Sequence, residues 1–155
     1  MKQKMSKQRI PTWIWYVWPV LIVVVVILLR FPEADGIASQ AGKQLYELHC
    51  QSCHMADGQG FGKLVPPLAG ADYVLDGGPE LACIIRYGMT GEVEVNGERY
   101  NRPMPAFEKL PAVEVRSILL YIRSAWGNQA PDLPFDQIRD ALNRCAPVAI
   151  IDPVY

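Results

Sequence analysis

Residues 13–30 are apolar almost without a break, with Val23-Val24-Val25-Val26-Ile27-Leu28-Leu29 at their centre and Arg30 at their end. Counting Ile10 and Pro11, the stretch reaches about twenty residues, enough as a helix for a ~30 Å hydrocarbon layer. Trp13, Trp15, Tyr16 and Trp18 gather at its start, where amphipathic rings favour the headgroup level. Residues 1–12 carry Lys2, Lys4, Lys7 and Arg9 and no acid, so the positive-inside rule keeps this arm cytoplasmic. The pattern predicts a transmembrane anchor. A cleaved signal peptide is the alternative, but the small-residue stretch Gly36-Ile37-Ala38 lies well past the apolar run, which exceeds a usual signal core. Residues 31–38, with Pro32, Glu33, Asp35 and Gly36, read as a tether.

Beyond the tether the pattern turns amphipathic. Residues 39–49 read as a helix with Ser39 as N-cap, and Gly42 and Tyr46 share one face. Residues 112–126 show an apolar stripe of Val115, Ile118, Leu119, Ile122 and Trp126 at helical spacing. A shorter helix is expected to start at Pro79, carry Leu81, Ile84 and Ile85 inward, and stop at Gly88. Val93-Glu94-Val95 and Glu98-Arg99-Tyr100 flank Asn96-Gly97, which predicts a tight hairpin. After the stop at Gly127-Asn128, residues 135–143 offer Phe135, Ile138 and Leu142 on one side. The apolar ending, 146–155, contains Pro147 and Pro153 and is too short to span a membrane. We therefore divide the chain into a basic arm (1–12), an anchor (13–30), a tether (31–38), a domain (39–128) and an extension (129–155) packed on the domain or on a partner.

Charge narrows the function. All sixteen Asp/Glu lie beyond Arg30, against ten of the fifteen Lys/Arg, leaving that part at about −6. Nucleic-acid binding is excluded, because the basic surface that neutralises phosphates is missing.

The chemistry concentrates in Cys50-Gln51-Ser52-Cys53-His54. C-x-x-C-H is a c-type haem attachment pattern: each thiol can form a thioether to a porphyrin vinyl group, and the histidine can reach the iron from the same side. A redox dithiol would sit at a helix start within a βαβ pattern, and none is visible. A zinc site would need a second ligand pair, and Cys83 and Cys145 stand singly.

The order of Gly42-Lys43-Gln44-Leu45-Tyr46, the C-x-x-C-H run, Pro66-Pro67-Leu68-Ala69-Gly70, Asn101-Arg102-Pro103-Met104-Pro105-Ala106-Phe107 and Leu120-Tyr121-Ile122 resembles the class I, monohaem cytochrome c family over residues 39–128. The resemblance implies an all-α fold of three to five helices around one covalently bound haem c, here with a small hairpin before the ligand methionine. It implies that first and last helices cross near Gly42, with Tyr46 meeting Ile118 and Tyr121. It also implies that the Pro66 carbonyl accepts the Nδ1 proton of the ligand histidine; a turn proline alone is the other reading.

His54 is the expected proximal ligand. His49, directly before Cys50, reads as a surface residue. The sixth position falls to Met104, Met89, Met55 or nothing. Met104 lies between two prolines that stiffen its backbone and matches the family ligand position. Histidine–methionine ligation fills both iron positions and raises the reduction potential, which points to electron transfer. The chain is thus expected to be a single-electron carrier on the outer face of a bacterial cytoplasmic membrane. It would serve respiratory redox partners, either freely or as a fixed subunit of a quinol-oxidising complex, dehydrogenase or terminal oxidase, and would not itself be an enzyme. The alternative is a haem enzyme or gas sensor in which Met104 is displaced. Lys63, Arg99, Arg102 and Lys109 are expected to form a basic docking rim. Cys83 and Cys145 are expected to pair in a disulfide, because haem attachment requires export to an oxidising compartment; two separate buried thiols are the alternative.

Overall fold

The structure, a computed structural model, describes residues 14–30 and 34–145. The chain divides into two units, 1–33 and 34–155.

The first unit holds helix α1 (Ile14–Arg30), of 17 residues with Pro19 inside it. At 1.5 Å per residue α1 is about 25 Å long, shorter than a ~30 Å hydrocarbon layer. Among the described residues no helix is long and apolar enough to cross a membrane. The arm over 1–12 and Trp13, where the expected span begins, lie outside the described residues.

The second unit begins with α2 (Ala34–His49). This corrects two expectations. The tether is already helical from Ala34 onward, and Ser39 is an interior residue, not the N-cap. An interior Gly36 costs such a helix only about 1 kcal/mol. α2 crosses α6 (Ala112–Ile122), and Gly42 makes the crossing possible: a Cβ there would overlap the Ser117 carbonyl oxygen and crowd Tyr121. Tyr46, only 1% exposed, fills the space beside it, with ring centroids 5.4 Å from Tyr121 and 5.0 Å from Trp126. Deleting such a buried aromatic typically costs 3–5 kcal/mol (an order-of-magnitude figure, ~4).

Two short helices, α3 (Gln51–His54) and α4 (Asp72–Leu75), were not legible from periodicity, since four residues carry barely one turn of pattern. α5 (Leu81–Tyr87) starts two residues after Pro79, which lies in the preceding turn, and ends at Gly88. Strands β1 (Val93–Val95) and β2 (Glu98–Tyr100) pair antiparallel, Val93 with Tyr100 and Val95 with Glu98. Asn96 and Gly97 both take positive φ, 52° and 76°, as a tight hairpin turn of this kind demands.

α6 ends at Ile122 and not at 126. The chain turns there, and Trp126, in a short 3-10 turn (Ala125–Gly127), adopts φ 54°. Its indole still reaches the stripe's target by packing on Tyr46 and Tyr121, while Nε1 donates to Ala56 O at 3.0 Å. α7 (Phe135–Arg144) buries Ile138, Ala141 and Leu142; Phe135, expected on the same side, is exposed. α7 packs on α5 and α6, and Cys145 is joined to Cys83 of α5 by a disulfide with Cα atoms 5.8 Å apart. Residues 146–155 lie outside the described part. The core of this unit gathers Val115, Ile118, Leu119 and Ile122 of α6 with Tyr46, Ala82, Ile85, Val95 and Tyr100.

Candidate functional site

Cys50, Cys53 and His54 come together on one tight turn. The N–H groups of Cys53 and His54 both donate to Cys50 O, at 3.1 and 2.9 Å. His54 is 9% exposed, and its Nδ1 lies 3.1 Å from Pro66 O. A carbonyl can only accept, so Nδ1 carries the proton and Nε2 is left as a lone-pair donor. Burial lowers the His54 pKa, and the Pro66 carbonyl partly offsets that. The imidazole is therefore held neutral, the form in which it can ligate a metal.

The loop that delivers Pro66 is folded tightly under His54. Gly60, at φ +68°, donates its N–H to His54 O at 3.1 Å, and a Cβ there would overlap Val65 O and the Pro66 backbone. Leu68 and Ala69 donate to Gly58 O at 2.7 and 3.0 Å. Tyr46 Oη donates to Met55 O at 2.6 Å, fixing the residue after His54. Burial pushes the Tyr46 phenol well above its usual range, so it stays a donor.

As a free thiol Cys50 is pushed up to about 11, by burial and then by the neighbouring Cys53. A redox-active C-x-x-C needs a thiol lowered towards neutrality, so this environment speaks against a disulfide-exchange role.

Met104 reaches the same cavity from another segment. Met89 and Met104 form an antiparallel bridge, with backbone bonds of 3.1 Å (Met89 N to Met104 O) and 2.9 Å (Met104 N to Met89 O). Opposed residues of such a bridge project to one side, and both methionines line the cavity. Met55, whose φ is 63°, does not. Phe107 N donates to Ile85 O at 3.0 Å, and Arg86 donates to Leu110 O at 2.8 Å, tying the far end of the methionine loop to α5. His49 is half-buried, lines the cavity and packs its ring 5.7 Å from Phe107. The expectation of a surface histidine was wrong because α2 turns its last residue towards the methionine loop.

Two thiols, a neutral imidazole and methionine sulfurs thus face one cavity walled by Leu68, Val74, Ile84, Ile85, Leu119 and Ile122. Apolar walls with a few sulfur and nitrogen donors suit a flat macrocycle with a central metal. Burial in such walls also shields the metal's charge from water.

The basic rim needs correction. Lys63 pairs with Glu98 at 3.4 Å, and Arg99 with Glu92 at 3.3 Å and Glu94 at 4.0 Å, all strongly exposed. Such pairs contribute little stability, roughly 0–1 kcal/mol, but they cancel the local positive field. Arg102 is exposed and lines the cavity itself.

Sequence reasoning missed two asparagines. Asn96 does more than turn the hairpin: its Oδ1 accepts from Asp72 N at 2.9 Å, and its own N–H donates to Asp72 Oδ1 at 3.0 Å. Asn128, expected only as a helix stop, donates to Leu68 O and Ile122 O and accepts from Gly70 N. Neither has a local signal, because each partner lies more than twenty residues away or across a turn.

The cytochrome c family model matches residues 39–126. Cytochrome c-552 of Thermus thermophilus is 38% identical over 107 residues, covering 65% of this chain and 72% of that protein. The cytochrome c subunit of a quinone alcohol dehydrogenase from Gluconobacter oxydans is 34% identical over 99 residues, 62% of this chain but 20% of that protein. With C-x-x-C-H on one tight turn whose histidine is buried, and a family model covering over half its length, the chain belongs to the class I cytochrome c family, whose covalently bound haem c it carries.

Proposed function

We propose that the protein is a one-electron carrier in which Cys50 and Cys53 Sγ hold the thioethers, His54 Nε2 is the proximal ligand and Met104 Sδ is the distal one. The carrying observation is the His54 Nδ1 bond to Pro66 O inside the cavity that Cys50, Cys53 and Met104 also line. Haem c, when bound, supplies an iron that accepts and releases one electron. The chain's own part is to keep the His54 and Met104 donors in place in either charge state. Pro66 fixes the histidine's tautomer and orientation. The soft thioether of Met104 favours the reduced metal. The apolar walls exclude water, which keeps reorganisation on electron transfer small.

The same reading puts the carrier on the outer face of a bacterial cytoplasmic membrane, held by residues 13–30. What supports it is a helix whose side chains from Tyr16 to Val25 are all exposed and apolar, a pattern fitting a lipid surround. The partner is a respiratory redox protein, and the likeness to a dehydrogenase's cytochrome subunit supports a fixed place in such a complex. Arg102, at the cavity mouth, is the proposed charge that orients docking.

The test is spectroscopic. The ferric protein is expected to be low-spin with a methionine–iron charge-transfer band, and the reduced form to bind carbon monoxide slowly. Met104→Ala should keep covalent haem, lose that band and drop in potential. High-spin ferric bands with rapid carbon monoxide binding in the unmodified protein would instead support an enzyme or gas sensor. An unchanged Met104→Ala spectrum would move the ligand to Met89. Recovery in the membrane fraction after salt washing checks the anchor.

A further inference from the structure

Asn128 is 5% exposed, although it ends a turn at the molecular surface. Its amide is fully engaged: Nδ2 donates to Leu68 O at 3.0 Å and Ile122 O at 2.6 Å, and Oδ1 accepts from Gly70 N at 2.8 Å. Two of these bonds grip the chain on either side of Ala69. From the other side the N–H groups of Leu68 and Ala69 are held by Gly58 O. Residues 68–70 are thus clamped between the end of α6 and the turn beneath His54. Leu68 follows Pro66-Pro67. A proline ring fixes its own φ near −65°, and a residue before proline is confined to extended conformations. Few soft dihedrals therefore separate Leu68 from the Pro66 carbonyl that meets His54 Nδ1.

We infer that Asn128 is a positioning residue for the proximal ligand: by holding Leu68 and Gly70 it fixes, through Pro66-Pro67, the carbonyl that takes the His54 Nδ1 proton. The inference rests on His54 ligating the iron. A well-placed acceptor makes the imidazole a stronger donor and steadies its ring. Releasing it leaves a weaker donor, which favours the reduced metal.

Arg123 provides the contrast. It is 4% exposed, and its guanidinium donates to Val74 O, Gly77 O and Pro131 O. None of these belongs to the loop between His54 and Gly70, so its loss should weaken the fold without touching the ligand.

The experiment uses the full-length haem protein and measures unfolding, reduction potential and exchange of the His54 Nδ1 proton by NMR. Asn128→Ala is expected to speed that exchange tenfold or more beyond what its lower stability explains, to raise the potential, and to keep the methionine–iron band. Arg123→Met is expected to lose stability with the wild-type potential and stability-corrected exchange. Asn128→Asp keeps an acceptor for Gly70 N–H but not the donor to Leu68, and should shift both readouts in the same direction as Asn128→Ala. Wild-type exchange and potential in the Asn128 variants would overturn the inference. So would an equal response in Arg123→Met, or failure of both Asn128 variants to accumulate while Arg123→Met does. A wild-type spectrum without histidine ligation would overturn the ligand assignment instead, and is read before any variant.

Discussion

The histidine side and the methionine side of the cavity are built differently. The His54 side is braced by side chains from distant elements: Tyr46 on Met55 O, Trp126 on Ala56 O, and Asn128 on Leu68 and Gly70. The Met104 side is held mainly by backbone, through the two-bond bridge to Met89 and the Phe107–Ile85 bond. Residues 101–103 and 105–106 are exposed, with Met104 half-buried among them. A backbone bridge on a solvent-facing loop can open without disturbing a core, whereas the histidine loop cannot move without stranding buried polar groups, each at a cost of roughly 1–3 kcal/mol. The difference teaches which side of the cavity yields first.

The largest expected effect tests that asymmetry directly. His54→Ala should lose the low-spin spectrum and most covalent haem, read by haem staining after denaturing electrophoresis, while Met104→Ala keeps its stain. Equal loss in the two variants would break the comparison.

Next comes the brace behind the methionine side. Cys83 lies on α5, which leads straight into Met89, and the disulfide closes a separation of 62 residues. In the chain-entropy model such a crosslink stabilises by about 4 kcal/mol, an upper figure. Cys145→Ser should lower stability towards that amount and speed amide exchange in α7, with the ferric spectrum unchanged. Two alkylatable thiols in the unreduced, denatured wild type would remove the premise.

Tyr46→Phe is smaller. It keeps the ring packing and deletes the bond to Met55 O, for about 1 kcal/mol. The loss should appear as faster exchange in residues 55–60 and leave the methionine–iron band alone; a change in that band instead would mean that the two sides are coupled.

The smallest effect concerns encounter. Arg102→Glu should slow electron transfer to an acidic partner at low salt and matter less at high salt. Lys63→Glu should do less, because Lys63 already faces Glu98. Equal slowing would restore the rim as a continuous basic surface.

The sequence by itself determined the cofactor chemistry, the main helices α2 and α6, the Asn96-Gly97 hairpin and the cysteines that pair. The first three depend on local spacing: C-x-x-C-H on one turn, apolar residues at three and four, a dipeptide able to take positive φ; the pairing of Cys83 with Cys145, at a separation of 62, followed from the oxidising compartment that haem attachment requires. Only the tertiary structure decided what happens where such signals conflict or are missing. Trp126 fits the helical stripe by spacing, yet α6 stops at Ile122 and the indole reaches Tyr46 from a left-handed residue. Lys63 and Arg99 read as a rim until Glu98, Glu92 and Glu94 appear beside them. His49 reads as exposed until the methionine loop covers it with Phe107. Asn128 reads only as a helix stop, because Leu68 and Gly70 are brought to it only when the ends of the domain close. Periodicity and motifs report what a residue does within its own segment; bonds between segments, and the buried polar groups they satisfy, exist only once those segments have packed.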